Sequence, residues 1–217
     1  MPKGRGFPRI PMNDLSLYNS ALAQFPPDQG FPIGTLIGFQ GPLHDPLDLD
    51  IDIVTRSRWT HVGAISGRNL MVECTRPMLW HKGTNGVQQN FLSSRLLNAE
   101  PGTAAAAFIL TDYVQSQMNV AAFSAFCSKL EEAGIPYDVG ALVKFLFKVP
   151  QVPNTNKEVC SVFVSFLYEA SNVYPPSLDF DASMQTPKMV VEHPGMYKQA
   201  IPILGKPDLR WFVPCQC

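Results

Sequence analysis

Residues 61–75 read HVGAISGRNLMVECT, which is two apolar stretches joined by Gly67-Arg68-Asn69. Short apolar stretches bounded by glycine are typical of β-strands, and this connection suits a hairpin with residues at positive φ. With a three-residue loop, Gly63 faces Glu73, and His61 lies diagonally from Glu73 on the same face. A loop of two or four residues would instead place His61 and Glu73 on opposite faces. The sequence therefore predicts a hairpin that brings an imidazole beside a carboxylate.

Further strands and helices are predicted on either side of this hairpin. Apolar stretches at 35–40, 86–92 and 104–110 extend it to a small antiparallel β-sheet. Apolar residues recur at three and four positions in 119–133 and 138–147, and residues 159–171 are apolar almost all round. These patterns predict helices, the last of them central in the fold. The fold class is α+β, with a small antiparallel β-sheet packed against helices.

Proline marks the two ends of the chain. The chain has 20 prolines, which fall mainly before residue 50 and after residue 149. We predict a Pro-rich N-terminal arm at 1–30 with a helical turn near 14–24, a folded domain at 31–195, and a C-terminal tail at 196–217. The whole stretch 174–217 lacks a long apolar period, so it is expected to wrap the domain with one short helix.

Size and charge exclude several classes of protein. A chain of 217 residues fits one domain with appendages, and a net charge of −1 gives no strong basic field for nucleic-acid binding. The longest apolar stretches are too short for a transmembrane segment, which needs ~20 residues. The opening residues lack the apolar core of a Sec signal. These features predict a protein of the cytoplasm, of a virion, or exported by a non-Sec route.

Cys160 is the strongest candidate for a nucleophile. It lies at the predicted start of the apolar helix, where free N–H groups and the helix dipole favour a thiolate. A thiolate nucleophile needs a nearby base and a group that orients that base. Of the histidines at 44, 61, 81 and 193, only His61 opens a predicted core strand. Glu73 is an acid within an apolar strand, and such a carboxylate is costly to bury unless it is paired.

Six short motifs, in this order, resemble the circularly permuted NlpC-type papain-like proteins. The closest branch is similar to the YiiX/YaeF group, which is related to lecithin:retinol acyltransferase. The resemblance covers about residues 33–194. The motifs are Gly34-Thr35-Leu36-Ile37, residues 56–65 (RSRWTHVGAI), Val72-Glu73-Cys74, Gly86-Val87-Gln88, Ile135-Pro136-Tyr137-Asp138 and Glu158-Val159-Cys160-Ser161.

The resemblance implies a permuted papain-like fold and acyl-transfer chemistry. Cys160 is then the nucleophile, His61 the base and Glu73 the group that orients it. Tyr137 and Ser161 are candidates for oxyanion or substrate contacts, and no metal or cofactor is implied. Many family members carry an acidic residue soon after the Cys-Ser pair, whereas Val162 and Phe163 follow here, which leaves the substrate open.

Three functions are compatible with these residues. The first is a cysteine hydrolase that cuts an amide bond, with a peptidoglycan peptide as its substrate. The second is a lipid acyltransferase or esterase, in which phenylalanines at 145, 147, 163 and 166 would line an acyl groove. The third is a non-catalytic component of a virion or another assembly, held in the larger particle through the terminal arms.

Other cysteines and acids favour structural interpretations. Cys74 and Cys127 are expected to be small core residues. Asp48, Asp50 and Asp52 alternate as in a calcium loop, but the glycine and the bidentate glutamate of such a loop are missing, so a solvated acidic edge is expected. The terminal Cys215-Gln216-Cys217 could be a metal fragment, a disulfide or a lipidation site.

Overall fold

In the part of the chain that the structure describes, one β-sheet is packed between two layers of helices. The computed structural model describes residues 13–41, 58–75, 86–132, 159–174, 182 and 185–215. The strands are β1 (Leu36–Gln40), β2 (Trp59–Gly67), β3 (Leu70–Thr75), β4 (Gly86–Phe91), β5 (Ala104–Leu110) and β6 (Tyr197–Leu204). The helices are α1 (Ser16–Leu22), α2 (Leu92–Leu97), α3 (Asp112–Gln117), α4 (Val120–Glu132), α5 (Val159–Ala170) and α6 (Pro187–Val191).

The six strands form an open antiparallel sheet in the order β4-β3-β2-β1-β5-β6. Side chains alternate between its faces, so each face builds its own core. Core 1 lies under α4, α5 and α6 and includes Val62, Ala64, Val72 and Cys74 from the hairpin. Core 2 lies under α1 and α2 and includes Phe39, Ile65 and Met71. The predicted α+β class is therefore confirmed, with one sheet between two helical layers.

The hairpin has a shorter loop than the sequence predicts. β2 ends at Gly67 and β3 begins at Leu70, so the loop has two residues, of which Asn69 has a φ of 56°. A register shift leaves Ser66 as an extra residue between the Ile65↔Met71 and Gly67↔Leu70 pairs. This bulge offsets the parity change that a two-residue loop imposes, because each shift of one residue exchanges the faces. Gly63 faces Glu73 as predicted.

The prediction of a C-terminal tail is wrong for residues 197–204, which form β6 at the edge of the sheet. Pro202 hides this strand in the sequence, since proline is tolerated only where a strand edge is free or irregular. β6 covers β5, whose alanine-rich sequence is buried along its whole length. A buried strand must have its backbone groups paired, and β6 supplies the partner.

The other elements agree well with the sequence pattern. The predicted helices at 119–133 and 159–171 correspond to α4 and α5, and the predicted turn in the N-terminal arm corresponds to α1, which packs on β6. The short helices α2 and α3 were not predicted. The predicted helix at 138–147 lies outside the described residues. Among the helices that the structure describes, none is long and apolar enough to cross a bilayer.

Adding a methyl group at Gly63 should destabilise the fold. A Cβ there would meet the backbone oxygen of Val72 at 2.9 Å and the sulfur of Met71 at 3.0 Å. We expect Gly63→Ala to reduce the free energy of unfolding by about 1 to 3 kcal/mol, because the backbone oxygen cannot move aside cheaply. Urea unfolding followed by circular dichroism measures this change.

Gly67→Ala is the matched control on the same strand. The nearest atom to its added Cβ is a Leu70 methyl carbon at 3.7 Å, an ordinary contact. Equal unfolding midpoints for the two variants would contradict the packing argument.

Candidate active site

The fold brings Cys160, His61 and Glu73 together. Cys160 is the second residue of α5, His61 lies near the start of β2, and Glu73 lies in β3. The Nε2 atom of His61 is 2.7 Å from Oε2 of Glu73, and the Cys160 side chain is within hydrogen-bonding range of His61. The three residues predicted to carry the chemistry therefore form one connected set.

The pairing between β2 and β3 ends close to His61 and Glu73. Pairing between β2 and β3 stops at Gly63↔Glu73, although β2 continues beside β1 to Trp59 and β3 continues beside β4 to Thr75. Cys160 belongs to core 1. The ring of His61 lies 5.7 Å, centroid to centroid, from that of Phe39, which belongs to core 2. We infer that the sulfur and the imidazole meet where the two strands separate.

Glu73 is a buried anion with a complete set of partners. Its side chain has no solvent exposure. The amide of Asn90 donates to Oε1 at 3.0 Å, and Nε of Arg95 lies 3.2 Å from both carboxylate oxygens. Burial raises the pKa of Glu73, but the charge of Arg95 and then the interactions with His61 outweigh it and lower the pKa to about 2.

The charge of Glu73 determines the tautomer of His61. An ionised carboxylate can only accept hydrogen bonds, so Nε2 of His61 carries a proton and donates it. This leaves Nδ1 as the basic nitrogen for the Cys160 thiol. Burial lowers the pKa of His61, but the charge and hydrogen bond of Cys160, followed by those of Glu73, raise it to about 9. The imidazole is therefore suited to receive and hold a proton.

Arg95 and Asn90 belong to the site and were missed by the sequence analysis. Arg95 shares a face of α2 with Leu92 and Leu96, which are buried in core 2. Its guanidinium carbon lies 4.8 Å from the centre of the Phe39 ring. The spacing of the two leucines is the one sequence feature that indicates this helix, but it is only six residues long. A short repeat of this kind is a weak signal.

The other residues that the sequence suggested for oxyanion or substrate contacts are not part of this connected set in the described structure. The hydroxyl of Ser161 is buried and donates to the backbone oxygen of Gln185 at 2.7 Å, so this side chain fastens the start of α5. Tyr137 lies outside the described residues. Phe163 and Phe166 are buried among the core side chains. The phenylalanines at 145 and 147 lie outside the described residues.

Metal ligands are not clustered in the part of the chain that the structure describes, where no group of three His, Cys, Asp or Glu side chains could hold an ion. The aspartates at 48, 50 and 52 lie outside it. Cys74 and Cys127 are buried and form no disulfide, as expected for core residues. Cys215 is disulfide-bonded, and Cys217 lies outside the described residues.

Comparison of the sequence with known families and curated proteins found no match. No protein-family model matches the chain. No curated protein is significantly similar to it in sequence. The residues and geometry of the site itself are therefore the basis for inferring a function.

The proton affinity of His61 should depend on Cys160. Because Cys160 is the largest influence raising the pKa of His61, we expect Cys160→Ala to lower its titration midpoint from about 9 towards its ordinary value. Nuclear magnetic resonance of labelled histidines measures both midpoints.

His193 is the internal control for this titration. Burial lowers its pKa, and its ring neighbour is Tyr174 rather than a residue of the site. Its midpoint should be the same in both proteins. An unchanged midpoint for His61 would show that the sulfur is not the source of the raised value.

Proposed function

We propose that the protein is a cysteine hydrolase that acts through a thiol acyl-enzyme on an amide bond. The observation that carries this proposal is the connected set formed by the Glu73 carboxylate, the His61 imidazole and the Cys160 thiol. A nucleophile, a base and a group that orients the base are the elements of covalent acyl transfer. His61 keeps 18% exposure of its side chain while Glu73 has none, so the base faces solvent and the orienting group does not.

The first half of the reaction forms a thioester. The Cys160 thiol gives its proton to Nδ1 of His61, and Glu73 stabilises the resulting imidazolium through Nε2. The thiolate attacks the carbonyl carbon of the amide, forming a C–S bond. His61 then protonates the amide nitrogen, the C–N bond breaks, and the amine leaves.

The second half restores the free enzyme. Neutral His61 takes a proton from water at Nδ1, and the resulting hydroxide equivalent attacks the thioester carbon. The new C–O bond forms as the C–S bond breaks, which returns the Cys160 thiolate and releases the carboxylic acid. The imidazolium and thiolate are then ready for another cycle.

The start of α5 supports the negative charge that develops on the carbonyl oxygen. The first N–H groups of a helix have no partner within the helix. Cys160 is the second residue of α5, so its own N–H can donate to an oxyanion on the carbonyl that its sulfur attacks. Such a donor typically lowers the barrier by about 3 to 4 kcal/mol.

We propose that the fold is of the permuted NlpC-type papain-like kind and that the substrate is a cell-wall peptide. The order of the residues supports the permuted arrangement, because the base and its partner on β2 and β3 precede the nucleophile on α5. A lipid substrate is less well supported, since Phe163 and Phe166 are core residues.

The decisive variant is Cys160→Ala. With purified peptidoglycan peptides as substrate, we expect this variant to lose at least roughly 1,000-fold in kcat, since no other group can form the thioester. Its melting temperature should stay close to that of the unmodified protein. Release of new amino groups, followed by mass spectrometry, measures turnover.

Cys127→Ala is the matched control, because Cys127 is a buried cysteine on α4 that forms no disulfide. It should retain turnover. A short-chain phospholipid offered in parallel tests the acyltransferase alternative, and cleavage of it alone would replace the peptide as substrate. Equal turnover by Cys160→Ala would overturn the hydrolase and favour a structural component.

A further inference from the structure

We propose that Arg95, assisted by Asn90, is a positioning residue that keeps Glu73 in a single orientation and in its charged form. The inference rests on the proposed cysteine chemistry of Cys160. It extends the set Cys160–His61–Glu73 by a cation that is brought by a different element, α2.

His61 alone cannot balance the negative charge of the buried Glu73 carboxylate throughout the proposed reaction. In the proposed reaction His61 is neutral after it has protonated the leaving amine and until it takes a proton from water, so it cannot balance the buried negative charge throughout the cycle. A buried charge that loses its partner strongly destabilises the fold, and the usual response is that the group takes up a proton. Arg95 is a permanent cation 3.2 Å from both oxygens of Glu73. It therefore provides the balance in every step of the reaction.

The surroundings of Arg95 fix its position. The side chain retains 18% exposure, its guanidinium packs over the Phe39 ring at 4.8 Å, and that ring also packs against the ring of His61. Asn90 holds Oε1 of Glu73 from β4. The carboxylate is thus held from two further elements, which leaves Oε2 directed at His61.

No other charged group among the described residues competes for this role. The charged and titratable groups that face Glu73 are His61 from β2 and Arg95 from α2, with Cys160 of α5 beyond His61. Asn90 from β4 is neutral. On its own strand, Cys74 belongs to core 1, and burial raises the pKa of its thiol well above the ordinary range. Cys74 therefore stays protonated in this setting.

The consequence is a dependence of Cys160 reactivity on pH. Without the cation, Glu73 should take up a proton at a higher pH, because burial then dominates. A protonated Glu73 no longer stabilises the imidazolium of His61, so the fraction of Cys160 thiolate falls. Arg95 should accordingly extend the reactive range of the thiol towards acid.

The experiment compares Arg95→Gln, which keeps a donor but removes the charge, with Arg95→Lys, which keeps the charge. The rate of Cys160 alkylation by iodoacetamide is followed by mass spectrometry as a function of pH. We expect the acid limb of the alkylation rate profile of Arg95→Gln to move to higher pH by roughly one unit or more. At a pH below that limb, the variant should react roughly tenfold more slowly than the unmodified protein. Arg95→Lys should restore part of the original profile, because a lysine keeps the positive charge but not the planar guanidinium that packs over Phe39.

Arg68→Gln is the matched control, since Arg68 is exposed at the hairpin turn and donates to the backbone oxygen of Pro27. It should leave the profile unchanged. An acid limb in Arg95→Gln that matches the limb of the unmodified protein would overturn the role of Arg95, while fast labelling of Cys160 still supported the hydrolase. If Cys160 of the unmodified protein reacts no faster than Cys74, both proposals fail. A merely structural Arg95 would lower the melting temperature without moving the limb.

Discussion

A carboxylate with no solvent exposure lies at the centre of this sheet, and the arrangement around it follows from the need to balance its charge. Glu73 occupies a strand with neighbours on both sides. It is held by a cation from α2, an amide from β4 and an imidazole from β2. Removing the cation or the imidazole would leave a charge in a dry environment, at a cost of several kcal/mol. The ionised form of Glu73 in turn fixes which nitrogen of His61 is free to act as a base.

The fold also brings the Cys160 thiol close to the His61 imidazole that contacts Glu73. The layer of helices that contains α5 covers one face of the sheet, whereas α2 covers the other. A fully paired sheet would separate the Cys160 thiol from the His61 imidazole. The early end of the β2–β3 pairing is where we infer that the start of α5 brings Cys160 to His61. In the proposed reaction the nucleophile, the base and the oxyanion donor converge there on one carbonyl.

The hairpin illustrates how a correct prediction can depend on a detail that sequence does not reveal. The expected shared face of His61 and Glu73 is confirmed by their 2.7 Å contact. The loop has two residues rather than three, and the bulge at Ser66 restores the parity. A three-residue loop without a bulge and a two-residue loop with a bulge place the same residues on the same face. A pattern of apolar residues therefore cannot distinguish them. β6 was missed because Pro202 and polar residues obscure the alternation of an edge strand.

The sequence alone determined the α+β class, five of the six strands, and helices α4 and α5, because apolar periodicity reflects which faces must leave water. It also predicted that Cys160, His61 and Glu73 lie together, as the structure has them, since a thiol at a helix start and an acid in an apolar strand are unusual placements. Only the tertiary structure revealed Arg95 and Asn90. Their importance comes from contacts between residues distant in the chain, and the register that creates those contacts depends on packing across the whole sheet.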